Sequence, residues 1–434
     1  MHIPVNMNSH FKILLALLLA FIASLFMPIG EAVRVVLLAI TFIYVVLNKQ
    51  LRKSSTAKKP RLIFWLMAAF CIWLVLSHLL SDNSNDGIRF LEKRIPLLIF
   101  SLFIPLLATT ANFKRQLLLG IAGIVTVACT AALIASLIQY GTSGNSAFLY
   151  NDSLSVHLGQ QSIYTSLFVN ISIYILAWYY FFGQLPARLR TLAGLAIPFL
   201  IAISYLLASR NMMLMLYASI VLFLAYYIVQ RRKYLEGLTL LLALLMGVFL
   251  VYKFFPKTLN RFRELTITEY NYQNNQGEAH YAGTLTAEQW NGANFRLAAW
   301  PCGWQLFKEH PILGTGLGDK RDELNRVYRE KGFQFAIDTH KNIHNNYLDI
   351  LYSTGIVGLL LFLSGYCLLP FISFWRQRNW LAVLIHGTLL LAMITEVYFD
   401  RSIGTLSFAF WTCLLLILPP DIKNPTDYPP DTSE

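Results

Sequence analysis

Residues 198–231 read PFLIAISYLLASRNMMLMLYASIVLFLAYYIVQR. A single charge, Arg210, divides two apolar runs, and the next is Arg231. An unpaired arginine in such surroundings costs roughly 2.5–3.5 kcal/mol to insert at mid-bilayer, and less near the interface. The pattern therefore reads as two membrane helices joined by a hairpin that holds Arg210 for a purpose. An anionic partner is the simplest purpose, because the planar guanidinium fork matches phosphate and carboxylate oxygens.

The rest of the chain repeats the theme. Of its 434 residues 56% are hydrophobic and 13% charged, and the mean hydropathy is +0.52. That composition excludes an ordinary soluble domain. Twelve runs reach spanning length: 12–27, 32–47, 62–80, 95–110, 117–140, 162–182, 192–208, 212–229, 238–255, 348–370, 380–397 and 405–419. In hydrocarbon every backbone amide must be satisfied within the segment, and the alternation of a membrane barrel is missing. The expected fold class is all-α, a polytopic membrane protein of about twelve helices with a small, mainly helical periplasmic domain. The domain plan is helices one to nine in 1–255, a periplasmic loop domain in 256–347, helices ten to twelve in 348–419 and a Pro-rich cytoplasmic tail, expected to be disordered, in 420–434.

The net charge of +12 would suit a nucleic-acid binder, but its distribution does not. Lys and Arg gather in alternate short connectors: Lys49 to Arg61, Lys114–Arg115, Arg188–Arg190, Arg231–Lys233 and Arg376–Arg378. This is the positive-inside pattern with both termini in the cytoplasm. The first apolar run is followed by a second span without a clear cleavage site, so it reads as helix one and not as a signal peptide. Four cysteines lie in apolar spans and one, Cys302, in the long connector, so no disulfide is expected.

Cations on the opposite face break the trend. They are Arg89, Lys93 and Arg94 in DGIRFLEKRIP, Arg210 in its hairpin, Arg296 in the long connector and Arg401 in YFDRSIG. Arg89, Lys93 and Arg94 also fit a solvated rim after an acidic stretch, and Arg401 also fits a local ion pair with Asp400. His344 opens HNNYLDILYSTG at the mouth of span ten, where helical periodicity puts His344, Leu348 and Leu351 on one face. A free imidazole titrates near pH 6.5, so a neutral base is available at pH 7. The bland alternative is a histidine that shapes the helix end. The GTGLG of HPILGTGLG lacks the Lys-Ser/Thr of a phosphate loop and reads as a turn.

The arrangement of NFRLAAW, HPILGTGLG and HNNYLDILYSTG, with a Ser-Arg hairpin before one large late loop, resembles the O-antigen ligase and polymerase superfamily, nearest to its lipopolysaccharide O-antigen ligase branch. The motifs that carry the resemblance lie between about 204 and 360. It implies His344 as the essential histidine, Arg210 and Arg296 as holders of the donor diphosphate, and Asp400 as an acidic residue of the last outer loop, supported by Glu396. Arg89, Lys93, Arg94, Asn345 and Arg401 join the substrate-binding set. In the 141–161 loop His157, Gln160 and Gln161 are placed to touch the acceptor sugar, with Gln161 counted in that set.

The implied reaction transfers a glycan from undecaprenyl diphosphate to a sugar hydroxyl of lipid A–core, with inversion, at the periplasmic face of the inner membrane. The implied partners are those two lipids and the membrane itself. No cofactor or metal is implied, since fixed arginines meet the leaving group's charge. A Wzy-type polymerase and a protein O-oligosaccharyltransferase share the donor, and the residues leave the acceptor open. A transporter for an anionic lipid or solute is the alternative of another class. Its binding groups belong near the midplane, whereas these gather at one interface.

Overall fold

The computed structural model describes residues 9–28, 30–52, 61–183, 185–232, 234–254, 262, 266–275, 277 and 289–419, and helices dominate among them. The first ten are α1 Ser9–Leu25, α2 Glu31–Leu47, α3 Arg61–Leu79, α4 Ser84–Phe103, α5 Ala111–Ser143, α6 Asn151–Ser155, α7 Ser162–Phe181, α8 Ala187–Leu207, α9 Arg210–Arg231 and α10 Tyr234–Phe254. The long connector contributes α11 Gly292–Glu309, α12 Lys320–Glu330 and α13 Gln334–Asp338. Then follow α14 Asn346–Phe362, α15 Leu369–Arg376, α16 Trp380–Ala392 and α17 Ser402–Ile417.

Six helices among the described residues are long and apolar enough to cross a bilayer: Arg61–Leu79, Ala111–Ser143, Ser162–Phe181, Ala187–Leu207, Arg210–Val229 and Asn346–Arg376. Ser9–Leu25, Trp380–Ala392 and Ser402–Ile417 are shorter and equally apolar in character. The all-helical class is therefore observed, with helices of membrane-spanning length and composition among the described residues. Helix α7 is apolar on every side and buried on nearly every side, as is α17. A helix buried all round belongs inside a bundle: α5, α8, α9 and α16 pack against α7, and α4, α15 and α16 against α17.

The sequence placed a span at 95–110, yet α4 begins at Ser84. The Asn83 side chain accepts the Asp86 amide and caps it, a bond that satisfies one orphan N–H of the first turn. Arg89, Lys93 and Arg94 consequently stand on a helix and not in a connector. The 141–161 segment, expected as a loop, holds α6 and short 3-10 turns. The stretch PKTLNRFRELTITEY, whose sequence looks helical, falls largely outside the described residues, as does the 420–434 tail.

In the long connector the sequence DKRDELNRVYREKG reads as a helix stopped by its glycine. It forms α12, and Gly332 just past its end takes φ 69°. α11 to α13 close over Trp290, Phe295, Tyr328, Phe333 and Phe335, an apolar cluster apart from the main core.

The HPILGTGLG turn is built into the bundle. α14 breaks at Gly355, whose φ of 68° and ψ of −173° are open essentially to glycine alone. The break leaves carbonyls without helical partners. The turn supplies them: Thr315 N–H donates to Tyr352 O at 2.9 Å and Gly316 N–H to Ser353 O at 3.0 Å. Trp73 of α3 donates to Thr354 O at 3.0 Å. A Cβ on Gly314 would meet the Thr354 and Gly355 amides at 2.5 Å, so the approach needs glycine there too. These amides are engaged, which fits a structural turn and not a phosphate cradle.

Candidate active site

Helix α8 ends where Ala208 enters the left-handed region at φ 49°, and extended Ser209 leads into α9 without a side-chain capping bond. Arg210 is thereby fixed as the first residue of α9. α11 starts with a capping box in which Asn291 and Asn294 bond each other's backbone. Arg296 follows one turn later and turns back toward Gly292. A Cβ on Gly292 would lie 2.5 Å from Nη2 of Arg210 and 2.9 Å from Nη1 of Arg296. The two guanidiniums thus converge on the Gly292 backbone, where any side chain would have to displace them. Arg296 donates to Thr395 O at 3.0 and 2.7 Å and to the Gly292 carbonyl. Asn211 donates to the Thr395 hydroxyl at 2.6 Å. Those bonds tie α9, α11 and the loop between α16 and α17 into one unit.

His344 lies in that unit, but not on the helical face expected for it. It precedes the α14 cap, Asn345, and takes φ 47°. Its amide donates to Asn342 Oδ1 at 3.0 Å, and its ring stands edge-on to Phe295 at 5.5 Å. Nδ1 lies 3.0 Å from Glu396 Oε2. A carboxylate there accepts Nδ1–H and leaves the lone pair on Nε2, and Nε2 has no hydrogen bond among the described residues. His344 is 22% exposed and Glu396 19%, enough for a ligand atom to reach the ring. Burial alone would raise the Glu396 carboxyl. The charge and hydrogen bond of His344, the Arg296 charge and the Val397 amide outweigh it and hold the group below 4.5. Glu396 is therefore a carboxylate at neutral pH.

A second cluster flanks the first. Lys320 donates to Asp349 at 2.8 Å and to Asp400 at 2.6 Å, and Arg94 to Asp349 at 3.1 Å. Arg94, Lys320 and Asp349 are almost fully buried. Two cations and two carboxylates compensate one another, as buried charges must. Burial raises the Asp400 carboxyl, but Lys320, Arg94 and the Asn342 amide together bring it below 3.8. Asn342 joins the clusters, donating to Asp400 at 3.1 Å while its oxygen holds the His344 amide.

The structure thus brings together His344, Arg210, Arg296 and Glu396, with Asp400 and Arg94 one step behind them through Asn342. Arg94, expected to contact substrate, faces carboxylates in the interior. Asp400 pairs with Lys320 and not with the adjacent Arg401, which is exposed and forms no ion pair among the described residues. Asn345 caps α14 through the Leu348 amide at 3.0 Å. Arg89 is exposed and pairs with Asp86, while Lys93 lies beside it on α4 over Phe90. Gln161 caps α7, and no described polar contact joins it to His344. Gln160 is buried on the Leu25 carbonyl, and His157 Nε2 is buried without a partner.

Sequence reading missed Asn342, Lys320, Asp349 and Thr395. Asp349 carried a signal, an acid inside an apolar helix; Lys320 carried none in a helix full of charge. Elsewhere Glu309, His310 and Glu323 bring ligand atoms within 4.8 Å of one another. Both carboxylates already hold Arg326, at 2.5 and 2.8 Å.

Comparison with known proteins agrees with the motifs. Residues 195–363 match the family model described as O-antigen ligase. A Pseudomonas aeruginosa protein named O-antigen ligase is 27% identical over 361 residues, which cover 82% of this chain and 74% of that one. The resemblance seen in the sequence is borne out, and its family stretch spans Arg210, Arg296 and His344.

Proposed function

With residues 195–363 an O-antigen ligase domain, we propose that this chain transfers a glycan from undecaprenyl diphosphate to a sugar hydroxyl of lipid A–core, at the periplasmic face of the inner membrane. One observation carries the reading: a histidine held by a carboxylate through Nδ1, with Nε2 open, beside two converging arginines. That is the geometry of a base next to an anion site.

In this reading the acceptor hydroxyl donates its proton to Nε2 of His344 as its oxygen attacks the anomeric carbon. The bond from that carbon to the phosphate oxygen breaks on the far side, so configuration inverts. The electron pair leaves with undecaprenyl diphosphate, and its charge falls to Arg210 and Arg296. The imidazolium is steadied by the Glu396 carboxylate and returns its proton to solvent. The arginine forks supply the leaving-group stabilisation that a metal would otherwise give. The donor's isoprenoid tail needs an apolar recess near the arginines. A cavity of about 480 Å³ between α7, α8, α9 and α16 suits it, lined by Tyr174, Ile201, Tyr205, Leu216 and Phe223.

The test is reconstitution. Purified protein in nanodiscs, given the lipid-linked glycan and lipid A–core without nucleotide or ion gradient and with EDTA, is expected to make glycosylated lipid A–core. Extension of the donor-linked glycan alone would favour the polymerase, and glycan on a Ser or Thr peptide the oligosaccharyltransferase. Movement of lipid without covalent product would favour the transporter.

A further inference from the structure

A second cavity, of about 740 Å³, lies between α2, α4 and the start of α17. Its walls are Leu38, Ala39, Phe42, Leu98, Leu102 and Leu406. Phe42, Leu98 and Leu102 are also exposed on the protein surface, so the cavity opens sideways as a groove along the bundle. Its other end is charged, with Glu31, Arg34, Arg89, Glu92 and Lys93 around the mouth and Ser402 beside Arg401.

The mouth carries more positive than negative charge, and part of the positive charge is uncompensated. Arg34 is engaged by the Ser24 and Met27 carbonyls, and Arg89 by Asp86. Lys93, Arg321 and Arg401 form no ion pair among the described residues. Around the buried Phe90 ring stand Lys320 at 4.3 Å, Lys93 at 5.7 Å, Arg94 at 5.9 Å and Arg321 at 6.0 Å. Burial, together with Lys320, Arg321 and Arg401, pushes the Lys93 ammonium below its usual range, although Asp400 works against this. Lys320 and Arg94 are neutralised by Asp349 and Asp400. Arg34, Arg89, Lys93, Arg321 and Arg401 together still outnumber Glu31, Asp86 and Glu92 at the mouth, and that excess of positive charge favours an anionic guest. An apolar trough leading from it favours acyl chains.

The mouth also adjoins the active site. Lys93 and Lys320 share the Phe90 ring, Lys320 donates to Asp400, Asn342 donates to Asp400, and the Asn342 oxygen holds the His344 amide. The groove lies on the Asp400 side of His344, whereas the converging arginines lie on its Glu396 side.

We propose that this groove seats the acceptor: a phosphorylated, multiply acylated glycolipid whose phosphate meets Lys93 and Arg401, whose chains lie along α2 and α4, and whose sugar reaches Nε2 of His344. The proposal rests on the ligase reading and adds a separate entry for the second lipid. Donor and acceptor then approach the histidine from different sides, as attack opposite the leaving group requires.

Two measurements test it in phosphatidylcholine nanodiscs. The first is acceptor kinetics. Lys93→Gln and Arg401→Gln should each raise the KM for lipid A–core about tenfold, the equivalent of one charged hydrogen bond, with the donor KM unchanged. Ala39→Trp, which fills the groove from an exposed helix position, should do the same without touching a charge. A dephosphorylated acceptor should show the raised KM with wild type and no further rise with Lys93→Gln. The second is occupancy, which does not depend on turnover: a benzophenone side chain at position 98 should crosslink lipid A–core in preference to excess phosphatidylglycerol. Unchanged acceptor KM in all three variants, or a crosslink to phosphatidylglycerol alone, overturns the groove. A crosslinked acceptor with no transfer by wild type would uphold the groove and overturn the ligase reading.

Discussion

At the residue scale the account turns on what each side chain's second partner is. Nδ1 of His344 is bound to Glu396 and Nε2 is open, which separates a base from a merely structural histidine. His344→Ala should lower single-turnover transfer by about 10²–10⁴-fold while undecaprenyl diphosphate still binds; near-normal turnover in His344→Gln would return the residue to a helix-end role. Arg210→Lys and Arg296→Lys keep charge and lose the fork, and each should cost most of the turnover; full activity in the double variant would remove the diphosphate clamp. Protonation of the imidazole removes the base, so transfer should slow on acidification. Glu396 is not the group that fails first. Its folded carboxyl lies below 4.5, so its stabilisation is complete above the unfolded value and is lost only as pH falls through the lower folded one. The stability difference between wild type and Glu396→Gln should stay constant from neutral pH down to the usual carboxylate range and shrink only below it; a difference already lost near neutral pH would contradict this. Arg210 was legible because nothing around it in sequence explains a charge. The interior fate of Arg94 was not, because its partner Asp349 is 255 residues away.

At the scale of elements, helix ends do the positioning. The left-handed Ala208 fixes the start of α9 and so Arg210, a capping box fixes the start of α11 and so Arg296, and a break fixes the turn that leads into α12 and Lys320. Gly355→Ala would drive a Cβ into the Ile312 carbonyl in a backbone region closed to alanine. It should destabilise the protein by roughly 1–3 kcal/mol or more, read as a lower melting temperature in detergent and faster proteolysis of the connector; an unchanged melting temperature would contradict the break. Asn342→Ala releases both the His344 amide and Asp400. It should reduce kcat more than it changes the KM of either lipid, since it loosens the base and touches neither substrate. Apolar periodicity anticipated the six long and three shorter apolar helices seen among the described residues, short of the twelve spans expected. It misplaced the start of α4, because Asn83 caps a polar first turn that hydropathy alone reads as connector. It put His344 on a helix, whereas the chain there takes a φ of 47° beside a local bond from the His344 amide to Asn342 and a bond across the fold from the Asn346 amide to Met393.

At the scale of the whole molecule, the charged clusters, the Arg210 hairpin and the long connector share one end of the bundle, and Lys- and Arg-rich connectors mark the other. The positive-inside rule puts the first end outside the cytoplasm. A cysteine at Asn274 should therefore react with an impermeant maleimide in cells with a permeabilised outer membrane, and one at Lys58 should not; the reverse pattern would turn the whole site inward. The class of the molecule was legible from composition, since spans of this length leave few alternatives. The pairing of loops that assembles the site was not, because it depends on which helices meet. The most direct test of outer-face glycan ligation is the lipopolysaccharide gel of a deletion strain complemented with this chain. Deletion should leave core-only lipopolysaccharide with the polyprenyl-linked glycan retained, wild type should restore the full ladder, and His344→Ala at equal membrane abundance should not. A ladder that persists in the deletion strain, or that returns with His344→Ala, would contradict the account.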